Sequence, residues 1–297
     1  MKRLLTLILS LVMLASLGFF ASCSNDEPAA EGGNEGPASE NGDSAPEPNE
    51  NLETILIGIT NYVPMNFRDE NNNWTGFETE FAQEVGKILG FNVEFIEIDW
   101  SALITEVNSG TVDAIWNGMS VLPHREEAMD ISMQYMRNRS VMVARAEDAD
   151  GFTTPEGAAD AVIVVENGSA MHVIVSGNES ADNHEFFDTL QDNVVTVETQ
   201  IMSLMEVLLG TADIAVVDYV KGGSLLKAGT DYDGLVIVDY LFPQNNFGVG
   251  LAKDSNDNPD AKIRLDDLNA AIQQLKDSGW LMELAVKYGL GELLIVG

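Results

Sequence analysis

The sequence of 297 residues has a single cysteine, Cys23, which rules out an internal disulfide bond and a cysteine metal cluster. Its three histidines, His124, His172 and His184, are scattered singly along the chain. Each is expected to be a surface residue or a satisfied core residue rather than a metal ligand. We therefore expect neither a metal nor a cofactor.

Basic residues are scarce as well. Fifteen Lys and Arg stand against 48 Asp and Glu, which gives a formal net charge of −33 at pH 7. Because phosphate recognition needs a basic surface, we expect no nucleic-acid partner. The acidity bears on solubility and on the long-range attraction of cations rather than on the fold. The length and an apolar share of 45% suffice for about two domains with sizeable cores.

The first fifty residues are not expected to be part of the fold. Lys2 and Arg3 precede an apolar run from Leu4 to Phe20, which is typical of a signal peptide at residues 1–22. The following Ala-Ser-Cys23 resembles a bacterial lipobox, although Phe20 stands where Leu is usual. The alternative is a plain transmembrane anchor, because a run of 17 residues is at the lower limit for a span. Both interpretations place the rest of the chain outside the cytoplasm, at the membrane.

Residues 24–50 are rich in Gly, Pro, Asn, Ser and acidic side chains, with eight acidic residues and no Lys or Arg. A segment with so few apolar groups cannot offset the entropy lost on ordering. We therefore predict a lipidated Cys23 followed by a disordered acidic tether that ends at residue 50.

From residue 53 onward, two sets of strands and helices alternate. Predicted strands of the first set span 53–59, 93–98 and 113–116, with helices at 76–89 and 100–109. Strands of the second set span 161–165, 194–197 and 214–217, with helices at 170–175 and 201–209. A strand at 247–251, a helix at 260–277 and a short last helix to 288 complete the chain. This alternation predicts a doubly wound α/β sheet in each half.

The two halves share a sequence motif. Glu106-Val-x-x-Gly-Thr-x-Asp113 recurs as Glu206-Val-x-x-Gly-Thr-x-Asp213, with an offset of 100 residues. Both copies close a helix and open a buried strand. The same offset places Asp218 opposite Gly118, at the carboxyl ends of equivalent strands, where open α/β sheets bind ligands. If the halves face each other, both residues line one cleft.

The stretch from Asp113 to Arg125 carries the clearest binding chemistry. A buried strand ends in the polar turn Asn117-Gly-Met-Ser120, and Pro123 starts a helix that contains Arg125. The planar guanidinium of Arg125 suits a carboxylate, which it binds bidentately. The peptide N–H groups of Ser120 and Ala170 are expected to join it, since anions are favoured where a helix begins. Ser169 is either a ligand contact or only the cap of that helix.

Asp218 supplies the opposite charge. It follows an apolar strand and accepts hydrogen bonds only, which suits an ammonium group, helped by the Ser120 hydroxyl and the Gly118 carbonyl. A carboxylate receptor and an ammonium receptor in one cleft describe an α-amino acid site. Tyr62 and Trp100 are expected to stack on the ligand, and Asn117 to line its side-chain pocket.

From about Leu52 to Leu290 the chain resembles the family 3 extracellular solute-binding proteins, which are amino-acid receptors of bacterial ABC importers. The motifs that carry the resemblance are Tyr62-Val-Pro-Met-Asn-Phe67, Gly76-Phe-Glu78, Asn117-Gly-Met-Ser120 with Pro123-x-Arg125, Asn167-Gly-Ser169, Asp218 and Lys287-Tyr-Gly289. In this family the matching Arg and Ser hold the ligand carboxylate, and the matching Asp holds its amine.

The resemblance implies a two-lobed fold of the type II periplasmic-binding-protein kind, with a doubly wound sheet in each lobe and two crossover hinge strands. Lobe 1 is expected to span residues 52–143 and 244–297, and lobe 2 residues 144–243, with crossings near 143–144 and 239–242. It further implies that the protein is a monomer, lipid-anchored on the outer face of the membrane. It is then expected to deliver a polar amino acid to a permease and not to be an enzyme.

Two departures and two alternatives accompany this reading. Ala170 stands where the family often has a second Ser or Thr, and the loop before Tyr62 lacks an Asp that many members have, which argues weakly against a Lys or Arg ligand. One alternative is an enzyme similar to the periplasmic dehydratases of this fold, with Glu78, Asp218 and His172 as acid–base candidates. The other is a sensor that reports its ligand to a membrane partner.

Overall fold

The computed structural model describes residues 49–175, 193–238, 242 and 244–296. The predicted signal peptide, Cys23, nearly all of the tether and His184 lie outside the described residues. So does most of the second predicted crossing, at residues 239–242. Among the described helices, none has the length and apolar character needed to cross a membrane.

The described residues form a mixed α/β structure with two five-stranded sheets and one small two-stranded sheet. The strands are β1 (Thr54–Ile59), β2 (Phe67–Arg68), β3 (Trp74–Thr75), β4 (Asn92–Glu97), β5 (Ala114–Ile115), β6 (Met129–Ile131), β7 (Ser140–Arg145), β8 (Ile163–Glu166), β9 (Val194–Val197), β10 (Ile214–Asp218), β11 (Leu235–Val238) and β12 (Gly250–Ala252). The α-helices are α1 (Phe77–Leu89), α2 (Leu103–Asn108), α3 (Pro123–Ala128), α4 (Pro155–Ala158), α5 (Ala170–Val175), α6 (Gln200–Leu209), α7 (Tyr219–Leu225), α8 (Leu265–Asp277) and α9 (Trp280–Lys287). Short 3₁₀ turns cover Trp100–Ala102, Ala149–Phe152 and Gly291–Leu293.

Both large sheets combine parallel and antiparallel pairs. The first has the order β4-β1-β5-β12-β6, with β1 parallel to β4 and β5, and β12 antiparallel to β5 and β6. The second has the order β11-β7-β10-β8-β9, with β8 parallel to β9 and β10, and β7 antiparallel to β10 and β11. We call the elements around the first sheet lobe 1 and those around the second lobe 2.

The chain passes from the first sheet to the second at β7 and is back in the first at β12. All pairs of β7 lie in the second sheet, from Ser140 opposite Asp218 to Arg145 opposite Leu235. The boundary predicted at 143–144 therefore falls inside a strand of lobe 2, and the change of sheet comes a few residues earlier, before Ser140.

The duplicated motif has the same structure in both lobes. In each copy the threonine N–H donates to the glutamate carbonyl at the end of a helix. The aspartate carboxylate then accepts the N–H of the lobe's neighbouring strand segment, Asp113 from Leu56 (2.7 Å) and Asp213 from Val162 (2.9 Å). The strands β5 and β10 are thus equivalent, and their carboxyl ends lead to Gly118 and Asp218.

The core of lobe 1 fixes the position of β5. Helix α1 turns Phe77, Phe81 and Val85, spaced by four residues, toward the sheet, and all three are buried. The Phe81 ring contacts those of Trp116 (4.9 Å between centroids) and Tyr135 (5.4 Å). This aromatic cluster packs directly behind the turn that follows β5.

Three predicted elements needed correction. The helix predicted at 100–109 is a 3₁₀ turn followed by α2, because the Asp99 carboxylate caps the chain at Ser101 N–H (2.9 Å). The helix predicted at 260–277 begins only at Leu265. Before it, the Lys262 ammonium is held by the Thr54 carbonyl and the Asp113 carboxylate (both 3.0 Å), long-range contacts that periodicity does not reveal. The strand predicted at 247–251 spans Gly250–Ala252 instead.

Candidate functional site

One small cavity lies where strands of the two sheets end. The nine residues predicted to bind a ligand all line it: Tyr62, Trp100, Asn117, Gly118, Ser120, Arg125, Ser169, Ala170 and Asp218. Four further described residues also line it: Thr60, Glu166, Gln200 and Lys221. The structure therefore brings the predicted residues of both lobes into the lining of one cavity, while their contact with a ligand stays a prediction.

Arg125 bridges the two lobes at one end of this cavity. It lies on α3, which Pro123 begins, and its side chain is buried, with 1% of the residue exposed. Its Nη1 donates to the Ser120 carbonyl and its Nη2 to the Gly168 carbonyl, both at 2.9 Å. The guanidinium also lies 5.6 Å from the centre of the Trp100 ring. These contacts fix the direction of its fork.

The backbone beside Arg125 presents further donors. The Ser169 hydroxyl accepts the N–H of His172 (3.2 Å), so Ser169 does cap α5. Among the hydrogen bonds of the described residues, none gives the peptide N–H of Ser120 or of Ala170 a protein acceptor. Both residues line the cavity next to the guanidinium. This end of the cavity is therefore rich in hydrogen-bond donors.

Asp218 ends β10 and is one of two acids in the described lining of the cavity. Its two oxygens accept hydrogen bonds from the side-chain amides of Asn138 and Gln200, both at 2.7 Å, and its backbone N–H donates to the side-chain Oε1 of Gln200 (3.0 Å). Burial raises the pKa of Asp218, while these amides and the nearby Lys221 ammonium oppose the rise. The carboxylate is thus oriented by neutral donors, and its charge has no direct ion-pair partner in the described part of the chain.

Lys221 and Glu166 are buried charges that the sequence analysis did not single out. The Lys221 Nζ lies 4.5 Å from the centre of the Tyr62 ring. Glu166 ends β8, and the Gln200 amide donates to it (3.3 Å) as well as to Asp218. Burial lowers the pKa of Lys221 and raises that of Glu166 to about 7. The described lining of the cavity therefore holds two cations and two acids.

Side chains that lie behind the cavity wall support the turn after β5. The Gly118 N–H donates to the Glu78 carboxylate (2.7 Å), and the Tyr135 hydroxyl donates to the same carboxylate. Asn117 is tied to Thr60 by two bonds, from the Thr60 hydroxyl (2.6 Å) and to the Thr60 carbonyl (2.9 Å). Asn117 and Gly118 are thereby held in place in the cavity wall.

We expect the buried Glu78 to make stability depend on pH. Burial raises the pKa of its carboxyl from 4.5 to about 7, so the folded protein holds this proton more tightly than the unfolded chain. Its contribution to the free energy of unfolding is full below about pH 4.5 and is lost as the pH rises through about 7. In Glu78→Gln, the fall in the free energy of unfolding between about pH 5 and 8 should shrink by on the order of 1–3 kcal/mol.

Urea unfolding at each pH measures this difference. Glu70→Gln is the control, because Glu70 is exposed in the turn between β2 and β3. The control should keep the slope of the wild type. A slope in Glu78→Gln equal to that of the wild type would contradict the prediction.

The three acid–base candidates of the enzyme alternative do not converge. Asp218 lines the cavity, whereas Glu78 lies behind Gly118. His172 lies behind the turn of lobe 2, where its Nδ1 accepts the N–H of Gly168 (3.0 Å). The charged groups of the cavity are therefore placed to hold a ligand, and the three candidates do not form a pair of side chains placed to transfer a proton.

The four residues that the sequence analysis missed fall into two kinds. Thr60 directly follows β1 and Glu166 ends β8, so the rule that points to strand ends also applies to them. Gln200 and Lys221 lie in the first turn of α6 and α7. The directions of these two side chains depend on how the helices pack, and no local sequence pattern predicts them.

The sequence pattern of the bacterial extracellular solute-binding proteins, family 3, matches residues 55–291. The arginine-binding extracellular protein ArtP of Bacillus subtilis is 24% identical over 78% of this chain and 84% of its own length. A substrate-binding protein of an ABC uptake transporter from Streptococcus pneumoniae, solved with bound histidine, superimposes with a TM-score of 0.69 at 24% identity, over 79% of this chain and 92% of that one. An ancestral amino acid-binding protein, a precursor of cyclohexadienyl dehydratase, gives 0.67 at 25% identity, over 79% and 95%.

Proposed function

The chain belongs to the bacterial extracellular solute-binding proteins, family 3, and from this premise we propose that it captures an α-amino acid between its lobes for an ABC importer. Its fold is the two-lobed, type II periplasmic-binding-protein fold of its structural relatives. The observation that carries the proposal is that Arg125 and Asp218, one from each lobe and opposite in charge, line one cavity.

The Arg125 end of the cavity takes the ligand's carboxylate. The guanidinium has five N–H donors in a fixed fork, which matches the two oxygens of a carboxylate. The N–H groups of Ser120 and Ala170 add donors beside it. Because Arg125 is 1% exposed, an anion bound there is shielded from water and its attraction to the guanidinium is strengthened.

The Asp218 end takes the ammonium group. Its carboxylate is already oriented by Asn138 and Gln200, and each of its oxygens has a second lone pair for a ligand N–H. The Gly118 carbonyl and the Ser120 hydroxyl are the supporting acceptors. Tyr62 and Trp100 form aromatic walls of the same cavity and pack against the ligand.

The relatives are consistent with this class of ligand, since those described above are amino-acid-binding proteins or, in one case, hold histidine. We further propose that the protein binds its ligand without transforming it. We also propose that a diacyl group on Cys23 anchors it as a monomer at the outer face of the membrane, and that residues 24–50 serve as the tether. Metabolic labelling with a fatty acid, lost in Cys23→Ser, tests the anchor.

A thermal-shift screen of residues 24–297 against the twenty amino acids and common carboxylates tests the ligand class. A ligand at about 100 times its Kd adds about 2.7 kcal/mol of stability, which raises the Tm by several degrees in a protein of this size. We expect a shift with one or a few amino acids. A shift only with carboxylates that lack an amine would contradict the proposal and support the enzyme alternative.

Closure of the lobes on the ligand is expected to depend on Gly168. Its φ is +73°, and a Cβ atom there would lie 2.9 Å from the Ser101 Cα of lobe 1. Gly168→Ala should therefore keep the lobes apart and lower ligand affinity by about tenfold or more, as one lost contact of about 1.4 kcal/mol would. Calorimetric titration gives the affinity, and the radius of gyration from X-ray scattering reports closure.

Gly110→Ala is the matched control for Gly168→Ala. Its φ is +76°, so the substitution carries the same backbone strain, but no atom lies within 4 Å of the added Cβ. We expect a loss of stability without a loss of affinity. Equal affinities in the two variants would show that Gly168 does not govern closure.

A further inference from the structure

Two buried charges, Glu166 and Lys221, remain in the cavity after Arg125 and Asp218 are assigned to the ligand's carboxylate and ammonium. They are 6% and 2% exposed. We propose that Glu166 and Lys221 bind the ligand's side chain, and that this side chain is a carboxamide, as in glutamine and asparagine. This inference rests on the proposed function and narrows it to one class of amino acid.

Lys221 is placed as a ligand-facing group rather than as a counter-ion. A lysine buried only to neutralise nearby carboxylates is expected to form an ion pair with one of them. Within the described part of the chain, no carboxylate oxygen lies within 4.0 Å of its Nζ. The ammonium lies instead over the Tyr62 ring, where its N–H donors border the cavity.

Glu166 is held in place by a neutral side chain. The Gln200 amide donates to Glu166 (3.3 Å) and to Asp218 (2.7 Å), so one amide fixes the direction of both carboxylates. That bond leaves Glu166 with further lone pairs, since an ionised carboxylate accepts about four hydrogen bonds. The cavity therefore offers a side chain one cationic donor, Lys221, and one anionic acceptor, Glu166.

The charge balance of the cavity selects among side chains. Lys221 and Glu166 carry opposite charges and act on each other electrostatically, and a zwitterionic ligand with a neutral side chain leaves that balance unchanged. A cationic side chain would be repelled by Lys221 and an anionic one by Glu166, and an apolar one would leave Lys221 and Glu166 desolvated and unbonded. A carboxamide oxygen accepts from Lys221 while its NH₂ donates to Glu166, so both charges are satisfied. The cationic ligand of the Bacillus subtilis relative is disfavoured here.

Binding of glutamine, asparagine, glutamate, arginine, lysine and leucine to residues 24–297 tests the inference, by calorimetric titration at about pH 8. We expect a carboxamide amino acid to bind at least tenfold more tightly than the other four. In Lys221→Met the ratio of arginine to glutamine affinity should rise about tenfold, because the repelling cation is gone. In Glu166→Gln the ratio of glutamate to glutamine affinity should rise in the same way.

The opposite responses of the two variants separate a ligand contact from a structural role. Lys227→Met and Glu198→Gln, at exposed positions outside the cavity, should leave both ratios unchanged. Equal weakening of every amino acid in both cavity variants would overturn the inference, as would a wild type that prefers a cationic, anionic or apolar side chain. If no amino acid binds at all, the proposed function falls and the inference falls with it.

Discussion

Replacing Arg125 with methionine is expected to weaken amino-acid binding by about a hundredfold or more in a calorimetric titration. Truncating one partner of a buried, hydrogen-bonded charge pair costs about 2–5 kcal/mol, and each 1.4 kcal/mol is a factor of ten. Methionine fills much of the same volume without charge or donors. Arg125→Lys keeps the charge but loses the fork that matches a carboxylate, so its loss should be intermediate.

A structural loss must be separated from the loss of a ligand contact, because Arg125 also holds the carbonyls of Ser120 and Gly168. The ligand's carboxamide derivative at the α-carboxyl group provides the second arm of a double-mutant cycle. It should bind weakly to the wild type and lose little more in Arg125→Met. An equal loss for the acid and its derivative would remove the carboxylate from the role that we assign to it.

Arg68 offers a matched control for the arginine itself. It lies over the Trp74 ring at 4.0 Å, as Arg125 lies over Trp100, but it is exposed and far from the cavity lining. Arg68→Met should therefore leave affinity within the error of the titration. Comparing Arg68→Met with Arg125→Met separates the loss of a ligand contact in the cavity from the loss of a contact between an arginine and an indole ring.

The binding residues at the strand ends were predictable from the sequence because a topological rule places ligand-binding groups there. Parallel strands carry their ligand-binding groups at the carboxyl end, and the repeat at an offset of 100 residues related Gly118 to Asp218 before any contact was known. The same rule extends to Thr60 and Glu166, which lie at the ends of β1 and β8. Neither residue belongs to the motif repeated at an offset of 100 residues, so the repeat does not point to them.

Other features depend on contacts between distant residues. The directions of the Gln200 and Lys221 side chains follow from the packing of α6 and α7 against the second sheet. Sequence periodicity gives only which face of a helix is apolar. The start of α8 depends on Lys262, whose ammonium reaches Thr54 and Asp113 across the sequence. Arg125 is similar, since a lone arginine after a turn is ordinarily exposed, whereas here its contacts include Ser120, Trp100 and Gly168 of lobe 2.

Replacing Asp218 with asparagine is expected to remove the preference for an amine. The substitution keeps the shape of the side chain but takes away the charge that attracts an ammonium group, at a cost of about 2–5 kcal/mol in binding. It also sets an NH₂ group against one of the two amides that now donate to Asp218, those of Asn138 and Gln200. The affinity for the amino acid should therefore fall by about thirtyfold or more.

The ratio of two affinities reports the role of Asp218 more sharply than either affinity alone. The amino acid should outcompete its deaminated analogue strongly in the wild type, and this ratio should fall toward one in Asp218→Asn, because the analogue never used the carboxylate. Asp213→Asn, at the other end of the same strand segment and outside the cavity lining, should keep the ratio of the wild type even though it loses its ion pair with Arg145. A ratio unchanged by Asp218→Asn would mean that the ammonium group binds elsewhere, and Glu166 would then be the acceptor to test, since Gln200 holds it beside Asp218 in the same wall.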